Sequence, residues 1–571
     1  MDTRRMVLWM VFSFSLLLLW DNWQKAQGRP SMMAGLFGMA PAPDAKSPAS
    51  GAGAKPVLND LPTAPQSTNL LPPSDQAPSQ GERIIVTTDV LRLTFDTVGA
   101  QLVGAELLNY PDADAPGRST RLFEISAART YVAQVGVVGV SEAPNHRTPF
   151  ALVSSATTLP AGQDTLELRF EALRGGLKVS EIYTLKRGHY AIALRQEITN
   201  VSAVPVQPSV YLQLSRDGGS APGASHFYST FTGPAVYTPE KYYQKVAFGD
   251  IEKASADHVK NSSAGWVAMV QHYFVSAFVP RSDTPRSIYT KRVSDNLYAI
   301  GTLSPLGTLA PAATTTYDST LYAGPQNERT LEGVAPGLEL VRDYGWLRMI
   351  CKPLFWLLEH LYSLVGNWGW AIVLLTIIVK LAFFPLSATS YRSMARMRKM
   401  TPRLTKLREQ YGSDKMKLNQ AMMELYRTEK INPLGGCLPV IVQIPVFLAL
   451  YWVLLASVEM RNAPWIGWIR DLTVPEEIFH IKFLFIDMPV GLLPIVMAAT
   501  MFLQTRLNPM PPDPLQAKVM MLMPLLFSFM FFFFPSGLVL YWVVNNILSI
   551  AQQWYITRLF ENRSSPAARA G

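Results

Sequence analysis

Residues 367–386 read NWGWAIVLLTIIVKLAFFPL, twenty positions with a single charge. As a helix this length covers the roughly 30 Å hydrocarbon layer of a bilayer, where every backbone N–H and C=O must be satisfied within the segment. Three further stretches are as apolar: LPVIVQIPVFLALYWVLLASV at 438–458, VGLLPIVMAATMFLQ at 490–504 and VMMLMPLLFSFMFFFF at 519–534. Another, LVLYWVVNNILSIAQQWYI at 538–556, is long enough but more polar. At the amino end two arginines precede the apolar run Met6–Trp20. That run reads as a cleaved signal or as a retained anchor, and Trp9, Trp20 and Trp23, which add bulk and an interfacial belt, favour the anchor. Six spans are expected.

Charge placement supplies an independent check. Ser387 to Cys437 carries eleven Lys or Arg against four Asp or Glu, which predicts a cytoplasmic segment. Glu459 to Asp487 has three basic and five acidic residues and is expected outside. Arg4 and Arg5 hold the first residues inside, and Arg558, Arg563 and Arg569 return the tail there, as six crossings require.

Within the basic segment Met397, Met400, Leu404, Leu407 and Tyr411 recur at helical spacing, Gly412–Asp414 interrupts, and Leu418, Met422 and Leu425 resume it. A helical hairpin is expected. Its basic residues suit a solvated face, anionic lipid or ribosomal RNA.

The chain between the anchor and these spans is of another kind. Ten prolines among Ala, Ser, Gly and Gln lie between Arg29 and Arg83, a composition that cannot bury a core and reads as a tether. Short strand-like stretches follow, among them RIIVTTDVLRLTF, DTLELRFEAL, KVSEIYTLKRG, YAIALRQEITN, PSVYLQLSR, GWVAMVQHYFVSAFV and TTTYDSTLYAG. Leu166, Leu168 and Phe170 alternate with polar residues, which predicts half-buried strands and a β-sandwich of roughly 250 residues. The two cysteines, Cys351 and Cys437, form no metal-binding pattern and are expected at opposite faces of the membrane.

The expected order is therefore an anchor at 1–27, a linker at 28–82, a β domain at 83–335 and an interfacial amphipathic helix at 336–366. Spans at 367–386, 438–458, 490–505, 519–535 and 536–557 follow, with the hairpin at 387–437, an outer link at 459–489, an inner loop at 506–518 and a tail at 558–571.

The one charge in the first long span, Lys380, costs ~2.5 to 3.5 kcal/mol on insertion scales. Two readings stand. About 7 Å of helix separates it from Pro385, so its stem can snorkel to the interface. Alternatively it belongs to a polar surface: Thr376 lies four residues before and Ser387 seven after, on one expected helix face. The last span offers Asn545, Ser549 and Gln552 on one face with Asn546 and Gln553 beside them, and Gln443 and Ser528 come from two other spans. No Asp or Glu lies within spans two to six to neutralise the lysine.

INPLGGCLPVIVQIPVFLALYWVL (431–454), FPSGLVLYWVVNNILSIAQQ (534–553), the 367–386 span and the hairpin stretch YRSMARMRKMTPRLTKLREQYG together resemble the YidC family of bacterial membrane insertases. The resemblance runs through the whole architecture. It implies a polytopic α-helical membrane protein with six transmembrane helices, a five-helix insertase core and an exported all-β super-sandwich domain, set in the bacterial inner membrane with both termini cytoplasmic. It also implies a hydrophilic groove open to cytoplasm and lipid that receives hydrophobic segments of nascent membrane proteins, alone or with the Sec translocon. Lys380 falls where the family usually has arginine, keeping the charge without the bidentate fork. Thr376 falls on a groove threonine, and Trp542 and Ser528 on further groove positions. Expected partners are nascent membrane proteins, the Sec translocon, the ribosome through the hairpin, and lipids; no cofactor or metal is expected.

A transporter or channel would also use a polar cavity, but no repeated half is visible, although Pro439, Pro445, Pro524 and Pro535 can bend spans. An enzyme would place its site in the β domain, where His189, His226, His258 and His272 form no recognisable constellation. GxxxxGK(S/T), HExxH and GxSxG are absent.

Overall fold

The computed structural model describes residues 81–112, 115, 117–220, 230–281, 284–411, 414–429, 438–483, 486–507 and 514–563. The expected anchor, the linker up to residue 80, His226, Cys437 and the tail beyond Arg563 lie outside the described residues. The chain divides into two compact units at Arg342 and Asp343.

The first unit is two antiparallel nine-stranded sheets. One runs, in spatial order, through Arg83–Thr87, Leu91–Asp96, Gln101–Pro111, Ser119–Ile125, Thr130–Val138, Ser209–Asp217, Leu297–Pro305, Arg286–Ser294 and Asn261–Ser262. The other runs through Tyr242–Lys245, Gly233–Thr238, Trp266–Val270, Phe274–Pro280, Thr314–Pro325, Ala191–Asn200, Leu177–Lys186, Thr165–Arg174 and Ala151–Leu152. Two short helices, α1 (Phe248–Glu252) and α2 (Glu328–Val334), fill connections. In Thr165–Arg174 the alternating residues Leu166, Leu168, Phe170 and Ala172 are buried. Ser209–Asp217 is buried at all nine positions. One of its faces holds Leu212 and Leu214. On the other the hydroxyl of Tyr211 accepts from the His146 backbone N–H at 3.1 Å and lies 2.5 Å from His146 Nδ1, so the 143–150 segment roofs the sheet.

Two titratable groups are locked inside this unit. Burial pushes the Glu181 carboxyl up to about 8, against hydrogen bonds from the Tyr183 hydroxyl at 3.1 Å and Gln196 Nε2 at 3.5 Å. Burial, reinforced by the charge of Lys291, pushes His146 down to about 3. A carboxyl that keeps its proton when folded contributes stability that is lost as pH rises from about 4.3 through 8. A histidine that stays neutral when folded loses its contribution as pH falls from about 6.5 toward 3. Between pH 6.5 and 8 the Glu181 slope is the steepest; it is opposed in part by the last of the His146 slope and, near pH 8, by Lys291, which burial pushes down to about 8, so the β unit is expected to lose about 1 kcal/mol there. Glu181→Gln should flatten that limb. Urea midpoints of the two proteins at pH 6.5 and 8.0 check it, and a wild-type midpoint unchanged across that interval refutes a neutral Glu181.

The second unit is helical: α3 (Arg348–Val365), α4 (Trp368–Ala382), α5 (Phe384–Tyr411), α6 (Lys415–Thr428), α7 (Leu438–Ala456), α8 (Leu492–Leu507), α9 (Pro514–Phe531) and α10 (Ser536–Arg563). Residues 336–347, expected within one amphipathic helix, instead form 3₁₀ turns before α3. Cys351, Phe355, Leu358 and Leu361 of α3 bury one face against Leu375, Leu450, Val453, Leu454 and Leu538, while Met349, Trp356 and Leu364 stay exposed. Cys351 is a free, buried thiol whose Sγ meets the Ala449 carbonyl at 3.5 Å.

Among the described residues no single helix is long and apolar enough to cross a membrane; Trp368–Ala382 and Phe384–Met400 pass that test together but are bent by 67°. The expected unbroken helix over 367–386 is thereby corrected. Pro385 supplies no N–H for the carbonyl of Leu381, and its ring crowds that carbonyl, so the chain breaks at Phe383. The first hairpin arm begins directly at this break, and α6 starts on Asp414, whose side chain accepts from the N–H groups of Met416 and Lys417 at 3.1 Å.

Beyond α7, residues 471–474 fold over the start of α10. Ser536 donates through Oγ to Val474 O at 2.7 Å, and the Gly537 N–H bonds Leu472 O at 2.9 Å. Glu476, buried, accepts from Trp468 Nε1 and from the Leu493 N–H at 2.6 Å, putting a carboxylate on the first turn of α8.

Candidate functional site

The site forms where α4 ends, α5 begins and α10 passes. Lys380 lies one turn before the break and is only 8% exposed. Its Nζ donates to Ser549 Oγ at 2.7 Å. Ser549 gives its own proton to the Asn545 carbonyl at 2.7 Å, which leaves its lone pairs for the ammonium. The hydroxyl of Tyr391, on the first turns of α5, also pairs with Ser549. Pointing at the middle of α10 is the opposite of snorkelling. Among the described residues one of the three ammonium N–H groups finds an acceptor, and no carboxylate pairs with it.

Spacing in α10 explains the remainder. Tyr541, Asn545 and Ser549 recur every four residues and share a face. Gln443 from α7 reaches the same face, donating to Asn545 Oδ1 and to the Tyr541 hydroxyl at 3.5 Å. Gln552 is partly buried, and its Oε1 has no donor among the described residues. Hydrogen bonds thus join Lys380, Gln443, Tyr541, Asn545 and Ser549, while among the described residues none links Gln552 to them.

Other expected members sit elsewhere. Asn546 Nδ2 donates to Thr500 Oγ1 at 3.3 Å and Gln553 Nε2 to Leu507 O at 3.0 Å, so these two tie α10 to α8. Arg398 Nη2 donates to the same Leu507 carbonyl at 3.1 Å, capping the end of α8. Thr376 is buried and back-bonds to Ile372 O at 2.7 Å; Ser528 likewise bonds Pro524 O at 2.7 Å. Ser387 is buried beyond the 67° bend, which corrects its placement on one straight face with Thr376 and Lys380. Trp542 packs against Phe447 at 4.5 Å and Phe531 at 5.5 Å between ring centroids, and its Nε1 has no acceptor among the described residues. It is part of an aromatic cluster rather than the polar surface.

Tyr391 and Tyr541 are the residues that sequence reasoning missed. For one of them the signal was available: Tyr541 and Asn545 stand four apart in an otherwise apolar stretch, whereas Tyr391 lies in the polar run SATSYRS at 387–393. In the β unit His258 bonds Val259 O at 2.8 Å and Thr290 Oγ1 at 3.1 Å, and His272 stacks on Tyr273. Among the described residues no three metal-ligating side chains cluster.

A β-sandwich unit followed by an apolar helical unit with an internal lysine defines an inner-membrane protein with an attached β domain: residues 360–563 match the family described as 60Kd inner membrane protein, and residues 83–357 match the family described as YidC periplasmic domain. "Membrane protein insertase YidC" of Bordetella petrii is 54% identical, and that of Bordetella pertussis 53% identical, each alignment covering 100% of both chains. The chain belongs to the YidC family. A solved structure, "Active YidC insertase crystal structure with the first transmembrane domain resolved", aligns over 84% of this chain and 93% of its own at 19% identity, with a TM-score of 0.38.

Proposed function

We infer that this chain is a membrane protein insertase that accepts hydrophobic segments of nascent membrane proteins at the Lys380 surface and releases them into lipid. The observation that carries the mechanism is the buried ammonium, which among the described residues has a single hydroxyl acceptor and no carboxylate. An incoming segment often carries a short polar, frequently acidic, end that must cross the bilayer. A hydrophilic groove reaching partway across shortens that path, and the free N–H groups of Lys380 offer the end a temporary counter-charge. Burying ~20 apolar residues in lipid supplies the drive without a nucleotide. The membrane potential adds ~2.3 kcal/mol per charge per 100 mV for an acidic group moving outward. One point charge without a fork of shape-matched donors binds weakly enough to let go.

The same reading gives six spans, with α4, α7, α8, α9 and α10 forming five of them, the α5–α6 hairpin and both termini cytoplasmic, and the β unit periplasmic. The hairpin then meets the ribosome, and the Sec translocon is a partner for part of the clients. Photo-crosslinkers at positions 376, 380 and 545 are expected to trap a ribosome-bound nascent membrane protein, most strongly at 380 and 545. Adducts confined to lipid at all three positions would sink the groove.

A further inference from the structure

Two arginines at one end of the β-sandwich carry more hydrogen-bond donors than the described residues satisfy. Arg216, in the central strand Ser209–Asp217, is 0% exposed. It stands opposite Tyr131 in the antiparallel register, with its Cζ 5.6 Å from the centre of that ring. Its Nη2 donates to Gly219 O at 3.1 Å, while Nε and Nη1 are buried with no acceptor among the described residues. Arg129 lies two residues before Tyr131. Its Nη1 faces Glu124 Oε2 at 3.5 Å, but Nε and Nη2 are likewise buried without an acceptor. Those two atoms are the bidentate edge of a guanidinium, the edge that matches a pair of oxygens on an oxyanion.

The nearby carboxylates are already engaged. Asp217 accepts from the Thr130 N–H at 2.9 Å through one oxygen and from the Gly219 N–H at 2.9 Å through the other. The second oxygen of Glu124 is held by Arg121 Nη1 at 3.2 Å. Burial lowers the Arg216 pKa; Tyr131 and Asp217 oppose that in part, and the Arg129 charge adds to it, so the two cations are close enough to oppose each other. Buried cations with unmade hydrogen bonds are stable only when something neutralises them.

We propose that Arg129 and Arg216 form a binding site for a small tetrahedral oxyanion of the phosphate type. A dianion with four oxygens can take the paired N–H groups of Arg129 Nε and Nη2 together with an N–H of Arg216, whereas a planar carboxylate has only two oxygens to offer. Burial of the donors favours a free ion over an esterified one. A free phosphate and a phospholipid headgroup share this chemistry, and the test separates them.

The full-length protein in zwitterionic nanodiscs is melted while circular dichroism follows its β signal, with inorganic phosphate replacing chloride at constant ionic strength. The expected result is a saturable rise in the melting midpoint. Arg129→Gln, at a side chain 16% exposed, should fold and lose that rise. Arg216→Lys should need at least tenfold more phosphate for half the effect. A rise in phosphatidylglycerol nanodiscs without any response to free phosphate assigns the same site to lipid phosphate. A wild-type protein that responds to neither, or an Arg129→Gln protein that responds as the wild type does, overturns the proposal.

Discussion

Lys380→Glu should reduce insertion of clients with acidic ends by roughly tenfold or more, while clients with neutral ends change by no more than about threefold. The asymmetry follows from the sign of one interaction. Two unit charges 4 Å apart are coupled by about 4 kcal/mol at an effective dielectric constant near 20, and reversing one of them turns help into hindrance. Even if water screens most of that, ~1.4 kcal/mol is enough for a tenfold change. The introduced carboxylate keeps a partner, because the Ser549 hydroxyl that now accepts from Nζ at 2.7 Å can rotate to donate, so the fold is retained. Lys380→Arg restores the charge and should insert both client types. Protease protection of the two clients in proteoliposomes containing equal amounts of each variant measures this. Equal loss for both client types would mean that residue 380 supports the fold rather than the client.

Trp266→Ala should have the largest effect on stability, about 3–5 kcal/mol, a sizeable part of what holds a domain of this size together. Trp266 is 1% exposed and stacks on Tyr237, with ring centroids 5.6 Å apart and planes 10° from parallel. Its Nε1 donates to Pro336 O at 3.2 Å, so the indole also ties the end of the domain to the sandwich. Gly337 is pressed against Tyr237, with φ of 76° and a hypothetical Cβ 2.3 Å from the ring. Trp266→Phe keeps the stack but loses the hydrogen bond, and about 1–2 kcal/mol is expected for it. Urea midpoints and limited proteolysis of the two variants check the ordering.

The sandwich was legible where a strand is covered on one side. Thr165–Arg174 alternates because one face meets the other sheet and the other is wet. Gln101–Pro111, Thr130–Val138 and Leu297–Pro305 were not singled out. Thr130–Val138 and Leu297–Pro305 are buried at nearly every position, so two-residue periodicity cannot mark them. The stretch 83–95, read as one strand, is a hairpin of Arg83–Thr87 and Leu91–Asp96. In the helical unit Lys380 was conspicuous because nothing else in its segment is charged. The division of the α10 polar residues was in principle readable, since Asn545 and Asn546 are 100° apart on a helix and cannot serve one partner. What no spacing displays is the arrival of Tyr391 from beyond a break, because the bend at Phe383 changes which residues share a side.

That break gives the α5 arm the geometry of a lever. Its pivot is at residue 383, Tyr391 lies about 11–12 Å along it and Tyr411 about 40 Å, at 1.5 Å per residue. For a rigid rod, motion at the far tip reaches Tyr391 reduced roughly fourfold. A swing of 4 Å at the tip therefore shifts the tyrosine by only about 1 Å, and the far end of the arm can sweep while the hydroxyl cluster around Ser549 is barely disturbed.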